Sequence, residues 1–462
     1  MPPYKCFYGS FDEDDPNNDV MDALDVTADM NISQDSYNVP EGRKIKSYWV
    51  VFNIVNNNLG IGVLVLPFAI YRAGMLTGLV SFLLSTAVFT YVAMLFVECI
   101  KVTECGHYQD ILEYCFGPKG STLYSVLFCL QMGFEALIFQ EILVSCTQSL
   151  FMHHFTQIAI ILLLAVNQLT VIPNFSRYFD YLSTVSSIAM FCILSVITYS
   201  ELSLKDLSFS IDTKLNWIHI PQVLGVACFI YRHSLLSMPN LYMNMKHRKS
   251  GAPLVPIAYC LVDVMYSLSA ILSIGVYSHH LHQTLVFNIL NADTYLIMIF
   301  KIILLAMSFS KYALAMMPIM EELSNYFNSC LFEIFHYFRP RKDSVGEDIP
   351  WVYSDSFHLR YFLHHGFPAI FARILGSSIC WTFASTFRPS LYDMVLLIGA
   401  LHGVSLSVVI PLQCYSKLFQ NCSAIKYSFN ILLAVAMVLL ILCLFLDIVI
   451  FTLFPNLVIK LL

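Results

Sequence analysis

Eleven apolar runs, separated by polar segments, constrain this chain more than any other feature. They lie at about 48–70, 76–100, 121–150, 157–173, 179–200, 221–242, 254–277, 293–318, 366–386, 391–415 and 427–452. A helix needs roughly 20 mostly apolar residues to cross the hydrocarbon layer. Each run approaches that length, so the pattern predicts an all-α polytopic membrane protein with eleven transmembrane helices. The composition agrees. The 462 residues are 58% hydrophobic and only 12% charged, about half the charged fraction of a soluble domain. A water-soluble fold could not hide that much apolar surface, and lipid is the natural solvent for the excess.

The net charge of −6 is concentrated at one end. Ten acidic residues fall within residues 1–46, around Asp12, Glu13, Asp14 and Asp15. This composition predicts a disordered acidic tail, followed by a transporter domain at 47–452 and a short tail at 453–462. The first apolar run follows this long polar leader, so it is expected to remain as a membrane anchor rather than a cleaved signal. No basic cluster points to nucleic acid. The fourteen cysteines are scattered, mostly inside apolar runs, with no Cys-x-x-Cys pair. They are expected to fill space rather than form disulfides or bind metal.

Basic loop residues orient the bundle. Arg43, Lys44, Lys46, Lys101, Lys119, Arg177, Lys246, Arg248, Lys249, Arg339, Arg341, Lys342, Arg360, Lys417 and Lys426 would share one side. The other side would hold little more than Arg72, Lys205, Lys214, Arg388 and Lys460. The asymmetry predicts a cytosolic N-terminus and an exterior or lumenal C-terminus. It also places the Asn-x-Ser sites at Asn31, Asn174 and Asn421 in the cytosol, where none would be glycosylated.

Irregular backbone at membrane depth is tolerated only inside protein or beside a watery cavity, so function is sought where the runs are interrupted. The first run contains Asn53, Asn56, Asn57, Asn58, Leu59, Gly60, Ile61, Gly62 and Pro67. Three consecutive asparagines sweep about 200° around a helix at roughly 100° per residue, so they cannot all face one partner. Two glycines at once behind them loosen the helix. The spacing predicts an unwound midpoint whose freed amides and carbonyls can hold a substrate or ion; packing through Asn and Gly is the alternative. The sixth run contains Arg232, His233, Ser234, Ser237 and Pro239. A charge at mid-bilayer is costly without a partner, and Pro239 removes a helix bond. Interruptions at matching places in two five-helix halves point to a transporter site.

Other intramembrane charges fill supporting roles. Glu135, one turn from Gln131, could be the counter-ion of Arg232 or carry a proton. Lys311, within Ser308, Phe309, Ser310 and Tyr312, could stand where another transporter holds sodium, or snorkel to the surface. Asp263, Lys301, His402 and Asp447 are weaker candidates. His279, His280 and His282 read as a solvated exterior loop rather than a metal site. No convergent polar set of the kind a membrane enzyme requires is present, and eleven runs disfavour a twelve-span facilitator. A channel or nutrient sensor on the same scaffold stays open.

Together these motifs resemble the amino acid/auxin permease family, which includes vesicular inhibitory and proton- or sodium-coupled neutral amino acid transporters. The first run, from Asn53 through Gly60 and Gly62 to Leu66, Pro67, Phe68 and Ala69, is similar to the family's opening signature. So are His233 to Asn240 with Met245, Lys246 and His247; Met317, Pro318, Glu321, Glu322 and Leu323; and His402 and Gly403 running on to Pro411. The likeness covers about residues 47–452. It implies a leucine-transporter-like fold: an inverted 5+5 repeat over about 47–200 and 221–415, plus an extra helix at 427–452. It implies secondary transport of a small amino acid by alternating access. Asn53, Asn56, Asn57, Gly60, Gly62, His233, Ser234 and Ser237 would line the substrate or ion site, with Ser308 near a sodium-type site. Arg232 departs from the usual neutral residues. A fixed ammonium at Lys311 would repel sodium, which favours proton coupling or exchange. No cofactor is expected beyond the coupling ion, H+ or Na+. The membrane could be the plasma membrane or a vesicular or endolysosomal one, and the oligomeric state stays open.

Overall fold

The computed structural model describes residues 45–150, 175–204, 216–246, 248, 251–277, 281–285, 295–337, 390–419 and 424–453. The runs expected at 157–173 and 366–386, the acidic tail, Asn31, Asn174, Asn421, His279, His280 and the C-terminal tail from 454 lie outside the described residues, as does the side chain of Asp447. The described chain is helical: α1 (Ser47–Asn58), α2 (Gly62–Ala73), α3 (Met75–Thr103), α4 (Tyr108–Phe116), α5 (Pro118–Leu150), α6 (Phe175–Leu204), α7 (Ile220–Met243), α8 (Gly251–Tyr277), α9 (Tyr295–Tyr337), α10 (Leu391–Leu418) and α11 (Ala424–Leu453).

Among the described residues, six helices are long and apolar enough to cross a membrane: α3, α5, α8, α9, α10 and α11, within the bounds of their apolar parts. The bent pair α1 and α2 makes a seventh. At 24 residues α7 has spanning length, but Arg232, His233 and its serines dilute its apolar character. Two features extend the sequence reading. α9 continues past residue 318 to Tyr337, and a short amphipathic helix, α4, occupies the connection between the second and third runs.

The chain divides into two compact units. The first comprises residues up to Phe128, Thr184–Ile303 and Ser390 onward; the second comprises Cys129–Ser183 and Leu304–Pro389. In the first unit α7 is central, packed against α1, α2, α3 and α10. The α7–α10 crossing brings backbones into direct contact. A Cβ on Gly399 would lie 2.0 Å from Gly225 O, and one on Gly403 would lie 2.7 Å from Cys228 O. Small residues at a crossing let helix backbones approach where lipid gives no hydrophobic drive for association.

α10 opens with a cap: Asp393 N donates to Ser390 Oγ at 3.1 Å, and Ser390 Oγ donates to Asp393 Oδ2 at 2.5 Å. It then widens into two π-helical stretches, Gly399–Gly403 and Ser405–Val409. In a π register each carbonyl looks five residues ahead for its N–H. For Leu406 that residue is Pro411, which has no N–H to give. The hydroxyl of Tyr108, on α4, donates to Leu406 O at 2.5 Å instead. Tyr108 is 2% exposed, so water cannot replace it readily. Tyr108→Phe is therefore expected to cost about 1–3 kcal/mol, the range for stranding a buried acceptor. Thermal unfolding of the purified protein reads this directly, and an unchanged midpoint would contradict the role assigned to the hydroxyl.

The second unit contains the C-terminal parts of α5 and α9. Gln131 Nε2 donates to Glu135 Oε1 at 3.4 Å, one turn apart on α5. The two side chains are 0% and 5% exposed. On α9, Ser310 Oγ donates back to Ala306 O and Met307 O.

Candidate substrate site

The first run is broken where the glycines predict. α1 ends at Asn58, α2 starts at Gly62, and their axes meet at 64°. Leu59 N still donates to Val55 O and Asn56 O, closing α1. The amides of Gly60 and Ile61 have no backbone acceptor among the described residues. Gly60 N–H is hydrogen-bonded to the Tyr266 hydroxyl, so the Ile61 amide is the one that extends the positive N-terminal end of α2, while α1 presents its carbonyl end to the same gap. Such a gap suits a zwitterion: the amide end attracts a carboxylate and the carbonyl end an ammonium. Tyr266, on α8, spans the break and donates to Asn58 O at 2.7 Å. Gly62 is buried against α7; a Cβ there would fall 2.5 Å from Ile230 Cγ1 and 3.2 Å from Tyr266 Oη. Its small size sets how closely α2 approaches α7.

The three asparagines go three ways, as their angular spread requires. Asn56 Nδ2 donates to Thr184 Oγ1 at 3.2 Å, and Asn57 Nδ2 to Ser237 Oγ at 2.8 Å. Asn58 turns back on its own helix, donating to Ile54 O at 2.8 Å. Asn53, 2% exposed, keeps Nδ2 without a partner among the described residues, as does Asn56 its Oδ1. One turn apart on α1, these atoms supply a spare donor and a spare acceptor beside the break.

The sixth run corrects the sequence reading. The expected interruption is absent: α7 is a continuous helix of 24 residues, with Pro239 inside it. Proline removes one N–H and the helix closes around it, because Pro239 stands only four residues before the C-terminal Met243. The polar residues serve the helix and its neighbours. Ser234 Oγ donates to Tyr231 O at 2.8 Å and meets Tyr259 Oη at 2.7 Å. Ser237 Oγ lies 3.1 Å from His233 O and 3.2 Å from Ser234 O, while it accepts from Asn57. The gap is therefore formed by one broken helix against one intact one.

Arg232 is 1% exposed. Its guanidinium donates to Phe229 O at 3.1 Å, contacts His233 Nε2 at 3.1 Å, and lies 3.7 Å from the Phe229 ring centroid. Arginine can only donate, so His233 Nε2 accepts and a neutral His233 carries its proton on Nδ1. Face-on packing against an aromatic ring is one way to keep a guanidinium at membrane depth.

The structure brings Asn53, Asn56, Asn57, Gly60, Gly62, Arg232, His233, Ser234 and Ser237 into the first unit. Glu135, Ser308 and Lys311 belong to the second. Ser308 is fully buried, and its Oγ has no partner among the described residues. Lys311 is half-buried one turn further along α9. Sequence reasoning missed Tyr266 and Thr184, because a lone tyrosine or threonine in an apolar run carries no local signal. His402 sits buried in the first π stretch, and Lys301 is buried near the start of α9.

A broken helix in a bundle of apolar helices is the arrangement in which solute transporters build their sites. A family profile described as "Transmembrane amino acid transporter protein" matches residues 43–454. The chain belongs to that family and is a multi-pass integral membrane protein. Among Arabidopsis thaliana proteins, Amino acid transporter AVT1I is 24% identical over 80% of this chain and 85% of that protein. Amino acid transporter AVT1J is 22% identical over 87% of this chain and 89% of that protein. Among solved structures, the inward-facing conformation of Mhp1 superposes with a TM-score of 0.51 at 12% identity, covering 87% of this chain and 90% of that one. Mhp1 is described as a nucleobase-cation-symport-1 family transporter. The likeness establishes the helical transporter fold.

Proposed function

We propose that this protein is a secondary active transporter of small amino acids, working by alternating access. The observation that carries the reading is the three-residue gap between α1 and α2, with the Ile61 amide lacking a backbone acceptor among the described residues and Asn57 reaching across to Ser237 on α7. The gap's two ends have opposite partial charge, matching an α-amino acid's carboxylate and ammonium. Substrate would lie against Asn53, Asn56 and Asn57 on one side and His233, Ser234 and Ser237 on the other. In this reading eleven spans form an inverted 5+5 repeat plus one helix, with a cytosolic N-terminus in the plasma membrane or a vesicular or endolysosomal membrane.

The coupling ion we favour is the proton, or simple exchange without one. The half-buried ammonium of Lys311 stands one turn from Ser308. Two like charges about 4 Å apart repel by about 1 kcal/mol even in bulk water, and by more inside protein. Uptake of radiolabelled alanine into proteoliposomes should therefore proceed equally in sodium and choline buffers. A strict sodium requirement would end this assignment. A substrate panel run with and without a pH gradient tests the whole reading: saturable countertransport supports it, and its absence for every amino acid would overturn it.

A further inference from the structure

Asp263 lies at the middle of α8, is 7% exposed, and is the acceptor of a built polar cluster. Thr86 Oγ1, on α3, lies 2.9 Å from Asp263 Oδ1, 2.9 Å from Tyr231 Oη on α7, and 3.1 Å from Phe82 O on its own helix. No cation among the described residues pairs with this carboxyl. The titratable groups around it are phenols: Tyr231 on α7, and Tyr259 and Tyr266 on α8 itself. α1 and α2 also pack on α8. Their titratable or charged side chains, Tyr48, Tyr71 and Arg72, stand at the far ends of those helices. On α3 the charged residues Glu98 and Lys101 lie near the C-terminal end and pair with each other at 2.9 Å.

The hydrogen count at Thr86 is informative. A threonine hydroxyl has one hydrogen and two lone pairs. With Asp263 protonated, its O–H donates to Thr86, Thr86 donates to Phe82 O, and Tyr231 donates to Thr86. With Asp263 ionised, Thr86 turns its hydrogen to Asp263 Oδ1, and Tyr231 still donates to Thr86. One hydroxyl rotation serves both states and keeps Asp263 Oδ1, the Thr86 hydroxyl and the Tyr231 hydroxyl paired in each. A carboxyl held at membrane depth only for packing needs no such two-state partner, and an intramembrane ionisable residue is a functional candidate by default.

We infer that Asp263 is the proton-binding carboxyl of the transport cycle: it takes a proton from the water on one side and releases it on the other. This rests on the proton-coupled reading above. Only an O–H bond forms and breaks. The link to substrate runs through α7: Tyr231 contacts Thr86, its ring lies 4.9 Å from that of Tyr259, Tyr259 meets Ser234, and Ser237, which accepts from Asn57, lies 3.2 Å from Ser234 O.

The test is uptake of radiolabelled alanine into proteoliposomes holding the full chain, with an imposed pH gradient and, separately, as exchange at equal pH. Asp263→Asn copies the protonated acid. Its gradient-driven accumulation should fall by about tenfold or more, within the range that coupling between two sites spans, while exchange at equal pH persists. Asp263→Asn that responds to the gradient like the wild type overturns the inference. If Asp263→Asn does not fold, Asp263→Glu replaces it: a shifted pH profile of uptake supports the assignment and an unshifted one rejects it. A wild type that exchanges alanine but ignores the gradient refutes the proton coupling, and this inference with it, while leaving transport intact.

Discussion

Replacing Asn57 by leucine will lower amino acid uptake by about 10- to 150-fold, the loss expected for one charge-assisted hydrogen bond of about 1.5–3 kcal/mol. Asn57 is the penultimate residue of α1, next to the break and half-buried, and its amide donates to Ser237 Oγ at 2.8 Å. Leucine fills a similar volume but offers no donor and no acceptor. The fold should survive, because Ser237 keeps His233 O and Ser234 O within reach. A neutral hydrogen bond contributes only about 0.5–1.5 kcal/mol net to stability. Membrane insertion and thermal unfolding should thus change little while transport fails. Ser237→Ala removes the acceptor from the other side, and the pair can be read as a double-mutant cycle: residues in contact should depart from additivity. Normal uptake by Asn57→Leu would remove the break from the substrate site.

The second large effect is structural. Gly399→Ala places a Cβ 2.0 Å from Gly225 O, 2.9 Å from Gly225 C and 3.1 Å from Phe229 N. All three are backbone atoms of α7, so no side chain can rotate away. The helices must separate, and separation also disturbs the Gly403–Cys228 contact further along. Overpacking a core costs about 1–3 kcal/mol when side chains can adjust; here the cost should reach or exceed the top of that range. Gly133→Ala is the matched control. Its Cβ would meet only Ile319 Cδ1 at 3.8 Å, and removing a mid-helix glycine should gain roughly 0.5–1 kcal/mol. Unfolding temperatures of the two variants should move in opposite directions. A wild-type midpoint for Gly399→Ala would mean that α7 and α10 do not cross as described.

The break in the first run was legible because its cause is local. Consecutive asparagines and paired glycines weaken a helix whatever surrounds them, and the interruption falls at Leu59, Gly60 and Ile61. The mistaken break in the sixth run shows the opposite case. Arg232, His233, Ser234 and Pro239 read as interruptions in one dimension. In three dimensions Phe229, Tyr259, Asn57 and the helix's own carbonyls satisfy the polar side chains, so α7 stays whole. The π turns of α10 were hidden because they depend on partners far away in sequence: Gly225 and Cys228 at the crossing, and Tyr108 for the carbonyl that Pro411 strands. Asp263 ranked low as a lone acid in an apolar run. The partners that make it a candidate, Thr86 and Tyr231, come from two other helices. The helix α4 escaped notice because nine residues are too few for any spanning window.

One further contact bears on motion. Ile45, just ahead of α1, forms a parallel bridge with Met245, just beyond α7: Ile45 N donates to Asn244 O at 2.8 Å and Lys246 N to Ile45 O at 3.0 Å. α1 is thus a lever pinned at its outer end and jointed at its inner one. Swinging it about the Leu59–Ile61 joint must either carry the tail of α7 along or unzip two main-chain bonds. Because the pin is backbone, swapping the side chains of Ile45 and Met245 leaves its donors and acceptors in place; a proline at Lys246, which deletes one donor, would loosen the lever selectively.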